Sequence, residues 1–236
     1  MQADGTRSGE LFDDWPDRYN QWFETPIGRL VKKYEAELLT QMLRPQKHDY
    51  LLDVGCGTGV FTRDVLAAGA SVVGLDISRP MLSAACKEFN EQIFSPILGS
   101  MERLPFASGS FDKVYSMTAL EFIDNAQLAV AELSRVTKTG GTVVLSTLNS
   151  LSPWARRRRL KAQQGHSIFE NMILRSPDQM RRLVPDGAVI KTAIHFSKDE
   201  DPLAAPRIEA EGQAENLDTG AFIAVCWTNT LQKIYY

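Results

Sequence analysis

The sequence predicts an open α/β sheet of mostly parallel strands, and three observations carry that expectation. A short apolar run, Tyr50 to Val54, ends in glycines at alternate positions (Gly55, Gly57, Gly59), and Val60, Phe61, Val65 and Leu66 then recur at helical spacing. Strand-like and helix-like segments alternate from there to Thr147, the pattern of parallel strands joined by helical crossovers. The 236 residues, 44% apolar and 23% charged, suit one large globular domain with a sizeable core. A formal charge of −3 gives no global pull toward nucleic acid or an anionic membrane. Cys56, Cys86 and Cys226 lack metal-ligand spacing and read as reduced thiols. No stretch is long and apolar enough to span a bilayer, and the first residues lack a secretion-signal pattern, so a cytoplasmic location is expected.

Taken in order, residues 1–9 are polar and expected to fray. Leu11 to Leu43 is helical in two pieces, broken near Thr25-Pro26. The first is aromatic (Phe12, Trp15, Tyr19, Trp22, Phe23), and the second sets Leu30, Val31, Tyr34, Leu38 and Met42 on one face for packing at the sheet edge. At the glycine turn, backbone N–H groups are expected to approach a ligand where any Cβ would collide. The helix N-terminus behind it adds unpaired donors and a partial positive charge. Asp53 puts a carboxylate under that ligand, which repels a pyrophosphate and attracts a cation. A dinucleotide fingerprint would need glycine at Val60, and a phosphate-cradling loop would need Lys then Ser or Thr after Gly59; neither is present.

The helix after the turn runs to Ala68 and stops at Gly69. Ser71 to Leu75 is the second strand, closed by Asp76, whose distance from the turn matches an acid that accepts hydrogen bonds from ribose hydroxyls. Ile77 follows, and Ser78 or Asp76 caps a helix from Met81 to Phe89 with Pro80 in its first turn. The third strand, about Gln92 to Leu98, contains Pro96 and is therefore expected at an edge. Phe111 to Ser116 is the fourth strand and Met117 to Asp124 the loop above it. A helix from Asn125 to Val136, a turn at Lys138–Gly141 and a fifth strand from Thr142 to Thr147 complete the alternation.

Ser152-Pro153-Trp154 opens an insert carrying Arg156, Arg157, Arg158, Arg159 and Lys161. An anion site for an acidic substrate or RNA is one reading. A solvated face is favoured, because consecutive residues point around a helix. His166 follows and is open to either a general-base or a structural role. Ser176 and Pro177 start a helix to Val184, and Val189 to Phe196 alternates as a strand carrying His195. Lys198 to Asp218 is acidic and without periodicity, so a loop or lid is expected. Gly220 to Thr228 is the last strand.

The motif of Asp53, Gly55, Gly57 and Gly59 resembles that of the class I S-adenosylmethionine-dependent methyltransferases. Gly99 to Phe106 is similar to the family segment Gly-Asp-x-x-x-Leu-Pro-Phe, with Ser100 where the acid that holds the adenine amino group usually stands. Met101 would flank the adenine, and the hydrogen bond falls to Ser100 or Glu102. The loop after the fourth strand lacks the Asn/Asp-Pro-Pro-Tyr pattern of amino-group methylation of bases or glutamine. It resembles the Ala-Leu-x-His-x-x-Asp loop of the small-molecule branch, which includes ubiquinone and menaquinone biosynthesis enzymes, with Phe122 in place of the histidine. Tyr19-Asn20-Gln21-Trp22 matches a Tyr-x-x-Trp pattern whose tyrosine reaches the cofactor carboxylate.

The resemblance implies a doubly wound, seven-stranded, mostly parallel sheet of order 3-2-1-4-5-7-6 with an antiparallel last strand. It also implies a helical cap at 1–45 on a Rossmann-like domain at 46–236, with a lid insert near 150–175. S-adenosyl-L-methionine is the implied cofactor. Its implied contacts are Tyr19, Asp53, Gly55, Cys56, Gly57, Thr58, Gly59, Asp76, Ile77, Ser78, Met81, Ser100, Met101, Glu102, Ser116 and Met117. Candidate bases are His166 first and Glu121 second, although Glu121 also reads as a solvated loop acid. The expected reaction is in-line methyl transfer to a small-molecule acceptor, with no metal and no nucleic-acid partner, by a monomer or homodimer. The alternatives are a non-catalytic cofactor-binding module and an RNA methyltransferase that uses Arg156–Arg159.

Overall fold

The computed structural model describes residues 11–89, 91, 93–165 and 167–230. The expected fraying of residues 1–9 lies outside them. Two helices, α1 (Pro16–Phe23) and α2 (Pro26–Leu43), precede strand β1 (Tyr50–Val54). The break between them is a cap: Pro26 sits in the first turn of α2, and the Thr25 hydroxyl accepts from the Gly28 N–H. Then come α3 (Thr62–Ala67), β2 (Ser71–Asp76), α4 (Arg79–Glu88), β3 (Phe94–Leu98) and β4 (Phe111–Ser116). A short 3₁₀ turn (Leu120–Phe122) leads to α5 (Ala126–Val136) and β5 (Thr137–Leu148). The chain closes with α6 (Pro153–Gln163), α7 (Ser167–Glu170), α8 (Pro177–Leu183), β6 (Val189–Ala193), α9 (Ala205–Ala214) and β7 (Phe222–Thr228).

The strands form a single seven-stranded sheet in the order β3-β2-β1-β4-β5-β7-β6. β1 pairs in parallel with β2 and β4, whereas β7 runs antiparallel to both β5 and β6. The doubly wound order is therefore the observed one. Alternate strand residues feed two apolar layers, as the pleat requires. Leu51, Val72 and Val144 pack with α2, α3 and α4 residues such as Leu39, Val65 and Leu82. Leu52, Val73 and Val143 pack on the other face with Ala129, Leu133 and Met180 of α5 and α8. Leu39 and Leu43 of α2 are fully buried, so truncating either to alanine would cost about 2–5 kcal/mol. Pro96 lies on β3, whose free edge tolerates the missing donor. Among the described residues no helix is long and apolar enough to cross a membrane.

Several boundaries differ from expectation, each for a local reason. β5 starts at Thr137, so Lys138–Gly141 lies within the strand; Gly140 takes φ +80° there, and Asn229 bonds across it to Gly140 and Gly141. β6 stops at Ala193, because Ile194 turns into the left-handed region at φ +66° and puts His195 past the strand. The segment read as a loop contains α9, whose charges and Gly212 obscure its period. Pro206 lies in its first turn, and its Glu209 is buried where it accepts from the Ile194 and His195 N–H groups.

The strand order reverses between β1 and β4. In open α/β sheets, the crevice beyond the carboxyl ends of the strands at such a point is where ligands bind.

Candidate functional site

A cavity of about 1010 Å³ opens at that crevice. Its floor is the glycine turn after β1, held to the sheet because the Gly55 and Cys56 N–H groups both donate to the Leu75 carbonyl, at 2.7 and 3.0 Å. Gly55, Gly57 and Gly59 all have positive φ, which explains the glycines at alternate positions. The collision a Cβ would meet differs from expectation. At Gly55 it would lie 2.5 Å from the Ala119 Cβ and at Gly59 2.3 Å from the Phe89 ring, so both pack against the protein itself. At Gly57 nothing lies within 4 Å.

Asp76 closes β2 with both carboxylate oxygens engaged by backbone. Oδ2 accepts from the Gly57 N–H at 2.8 Å and Oδ1 from the Ser78 N–H at 2.9 Å. A carboxylate offers about four acceptor positions, so capacity is left for a ligand. Burial raises the Asp76 pKa, opposed by these N–H donors and that of Ile77. Ser78 is the cap of α4, its hydroxyl accepting from the Met81 N–H; Asp76 does not share that role.

Asp53, inside β1 beneath the turn, is 2% exposed. Burial pushes its carboxyl up to about 7, opposed by the Thr62 and Tyr115 hydroxyls, and Thr62 donates to Oδ2 at 2.6 Å. The acid is thus about half-protonated near neutral pH, and a cation placed above it would drive it to the charged form.

The cavity brings together Tyr19, Asp53, Gly55, Cys56, Gly57, Asp76, Ile77, Met81, Ser100, Met101, Glu102, Met117 and Glu121. Thr58, Gly59, Ser78 and Ser116 are not among its lining residues. Thr58 donates to Asn20 Oδ1 at 2.6 Å and so ties the turn to α1. The Ser116 hydroxyl is buried without a partner. Tyr19 reaches the cavity from α1; burial foremost, then Glu35, raises its hydroxyl pKa. His166 lies outside the described residues.

Glu121 is not a solvated loop acid. It is 1% exposed on the 3₁₀ turn beyond β4, and burial pushes its carboxyl up to about 7, against Arg158, Thr147 and Arg175. Its Oε2 accepts from Thr147 Oγ1 at 3.3 Å. Arg175 pins that turn by donating to the Leu120 and Ile123 carbonyls at 2.8 and 3.2 Å.

Two charged cavity residues were given no role by the sequence reading. Glu35 on α2 is buried, and burial pushes it up to about 8, opposed by Arg158 and reinforced by Glu121. The signal existed, since Glu35 stands one turn after Val31 and one before Leu39 on an apolar face. Lys198 is the other. Arg157 and Arg158 line the cavity while Arg156 and Arg159 are exposed, so the run is half solvated face and half cavity wall.

Residues 52–145 match the family model described as a methyltransferase domain. The malonyl-[acyl-carrier protein] O-methyltransferase of Erwinia pyrifoliae is 39% identical over 130 residues, covering 55% of this chain and 47% of that protein. The ubiquinone biosynthesis O-methyltransferase of Methylococcus capsulatus is 32% identical over 157 residues, covering 63% and 65%. The matched part spans about half the length of most of these curated relatives. Among solved structures, a Thermotoga maritima S-adenosylmethionine-dependent methyltransferase, a possible histamine N-methyltransferase, superposes with a TM-score of 0.72 at 18% identity, covering 94% of this chain and all of that one. That likeness shows the fold. Over residues 52–145 the chain is thus similar to a methyltransferase domain, and both of these curated relatives are O-methyltransferases.

Proposed function

With a class I methyltransferase domain as premise, we propose that the chain binds S-adenosylmethionine over the glycine turn and passes its methyl group to a small-molecule acceptor. The observation that carries this reading is the Asp76 carboxylate. Backbone N–H groups fix its orientation, and its remaining acceptor capacity suits a ribose hydroxyl. The open space at Gly57 leaves room for the ligand backbone to approach. Asp53, with its pKa near neutrality, suits a positively charged ligand and is adverse to a pyrophosphate. Met101, Ser100 and Glu102 line the side of the cavity where the adenine would lie.

The cofactor supplies an activated methyl electrophile, so the protein's task is chiefly alignment, an effect worth several kcal/mol of barrier. Tyr19 on α1 lines the cavity. Glu121, pinned beside the end of β4 with a carboxyl titrating near 7, is matched to taking a proton from a hydroxyl or amine acceptor. His166, the other base proposed from sequence, remains a candidate on that ground alone. The division of the arginine run, two residues inward and two outward, removes the continuous basic face that an RNA strand would follow.

Calorimetry with S-adenosylhomocysteine tests the reading. Binding is expected, with Asp76→Ala weakening it by about 1–3 kcal/mol, roughly 5- to 150-fold, because ribose hydroxyls lose their acceptor. No binding at about 1 mM, or an NAD or ATP affinity exceeding it, overturns the proposal.

A further inference from the structure

The insert that follows β5 gives the acceptor half of the cavity an unusual charge. Trp154, Arg157, Arg158 and Lys161 recur at helical spacing on α6 and form one stripe, and all four line the cavity. Lys198, beyond β6, lines the same cavity, its ammonium 5.8 Å from the Trp22 ring centre. Trp22 and Trp154 are edge-to-face with ring centres 6.4 Å apart, so cationic groups sit on one aromatic wall.

Among the described residues, Arg158, Lys161 and Lys198 form no ion pair. Arg158 stands over Trp154 at 5.6 Å, and its Nη1 is shut off from solvent with no hydrogen-bond partner among the described residues. Such a group costs free energy unless something fills its place. Arg157 pairs with Asp199, whereas among the described residues neither Lys161 nor Lys198 forms an ion pair. Glu35 and Glu121 face Arg158, but burial holds Glu35 largely protonated and Glu121 partly so at neutral pH, and its positive charge is left incompletely balanced. Lys198 is pushed below the usual lysine range by burial and then by Lys161, Arg157 and Arg158, the mark of cations crowded together.

We infer that this end of the cavity is an anion subsite: the methyl acceptor carries a carboxylate or phosphate group that docks between Arg158, Lys161 and Lys198, with its apolar body against Trp22, Trp154 and Ile168. The inference rests on the methyltransferase reading and adds the chemical class of its acceptor. An anion there offsets the positive charge of Arg158 and relieves the repulsion among the cations. The aromatic wall keeps the guanidinium and ammonium groups extended toward it. The cavity lies at the upper end of the roughly 300–1,000 Å³ typical of single-ligand pockets, which leaves space beside a cofactor for a second molecule.

The test uses the full chain saturated with S-adenosylhomocysteine, probed by calorimetry with 4-phenylbutyrate, its neutral amide, and phenyl phosphate. One of the two anions is expected to bind at least about tenfold more tightly than the amide, and which one it is separates carboxylate from phosphate recognition. Arg158→Gln and, separately, Lys198→Met are expected to abolish that preference while S-adenosylhomocysteine affinity and melting temperature hold. Lys198 is the safer substitution for folding, since it is only half-buried. Equal binding of amide and anions, or no binding of either anion at about 10 mM, overturns the inference. So does a loss of S-adenosylhomocysteine affinity in the two variants, which would assign the cations to the cofactor's own carboxylate. Failure of the wild-type chain to bind S-adenosylhomocysteine at all removes the methyltransferase reading itself and is recognisable before any anion is added.

Discussion

The two halves of the cavity are built on opposite terms. In the half made by the glycine turn and the end of β2, polar groups are tied to one another: Gly57 and Ser78 to Asp76, Thr62 to Asp53, Thr58 to Asn20. In the half made by α2, the turn after β4 and the insert, Glu35, Glu121 and Arg158 face one another with no hydrogen bond between them among the described residues. Arg158 Nη1 has no hydrogen-bond partner among the described residues, and burial holds the Glu35 and Glu121 carboxyls above the ordinary range. The first half is organised before any ligand arrives. The second keeps interactions in reserve for one. On the proposed reading the cofactor takes the first half and the acceptor the second, and perturbations of the two halves should separate accordingly.

The sharpest separation is expected at Glu121. Glu121→Gln keeps the shape of the side chain and removes its proton-accepting ability. We expect kcat to fall about 100-fold or more, the scale of general-base catalysis, with S-adenosylhomocysteine affinity unchanged to within about twofold. An acceptor found by screening metabolites for S-adenosylhomocysteine release supplies the assay. Unchanged turnover would reduce Glu121 to a counter-charge for Arg158, and a parallel loss of cofactor affinity would show that the halves are not independent.

The same contrast explains what was legible in the sequence. The cofactor half is written in consecutive residues, Asp53 to Gly59 and Asp76 to Ser78, because a tight turn and a strand end are local structures. The sheet order followed from resemblance to a known fold and is the one observed. The acceptor half is assembled from residues far apart in the chain. Glu35, Glu121, Arg158 and Lys198 meet only when α2, the β4 turn, α6 and the segment after β6 converge, and no local period announces that. The four arginines illustrate the limit. Helical geometry foretells that they spread around the axis, yet not that the axis lies against a cavity and turns two of them inward. The helix α9 was missed for a related reason: its buried Glu209 takes an inward position that an apolar residue would have marked.

A smaller effect is expected at Glu35, with a sign opposite to that of most buried carboxylates. The folded-state pKa, about 8, lies above the unfolded value of about 4.3. The folded protein therefore holds a proton that the unfolded chain releases, and stability falls as pH rises from about 4 through 8. The groups that set this value are the burying apolar neighbours, Arg158 and Glu121. Glu35→Gln should match the wild type near pH 5 and exceed it near pH 8.5 by on the order of 1–3 kcal/mol, measured by urea denaturation at the two pH values. A gap that does not widen with pH would mean that Glu35 is ionised and satisfies Arg158. The acceptor half would then be as complete as the other.

The finest test lies at the seam between the halves. α1 carries Tyr19 and Trp22 over the cavity, and the Thr58–Asn20 hydrogen bond ties it to the glycine turn. Thr58→Val keeps the branched shape, removes the hydroxyl and leaves Asn20 Oδ1 without that donor, a loss of about 1 kcal/mol. If α1 is a roof that moves with the acceptor side, this bond acts mainly when the cofactor is enclosed. The variant should then release S-adenosylhomocysteine about threefold to fivefold faster with little change in its association rate. Trp15, Trp22 and Trp154 all line the cavity, so stopped-flow tryptophan fluorescence reads both rates. An unchanged release rate with a lowered melting temperature would place α1 with the rigid cofactor half instead, because a bond that stabilises the free and loaded protein equally contributes to folding and leaves binding alone.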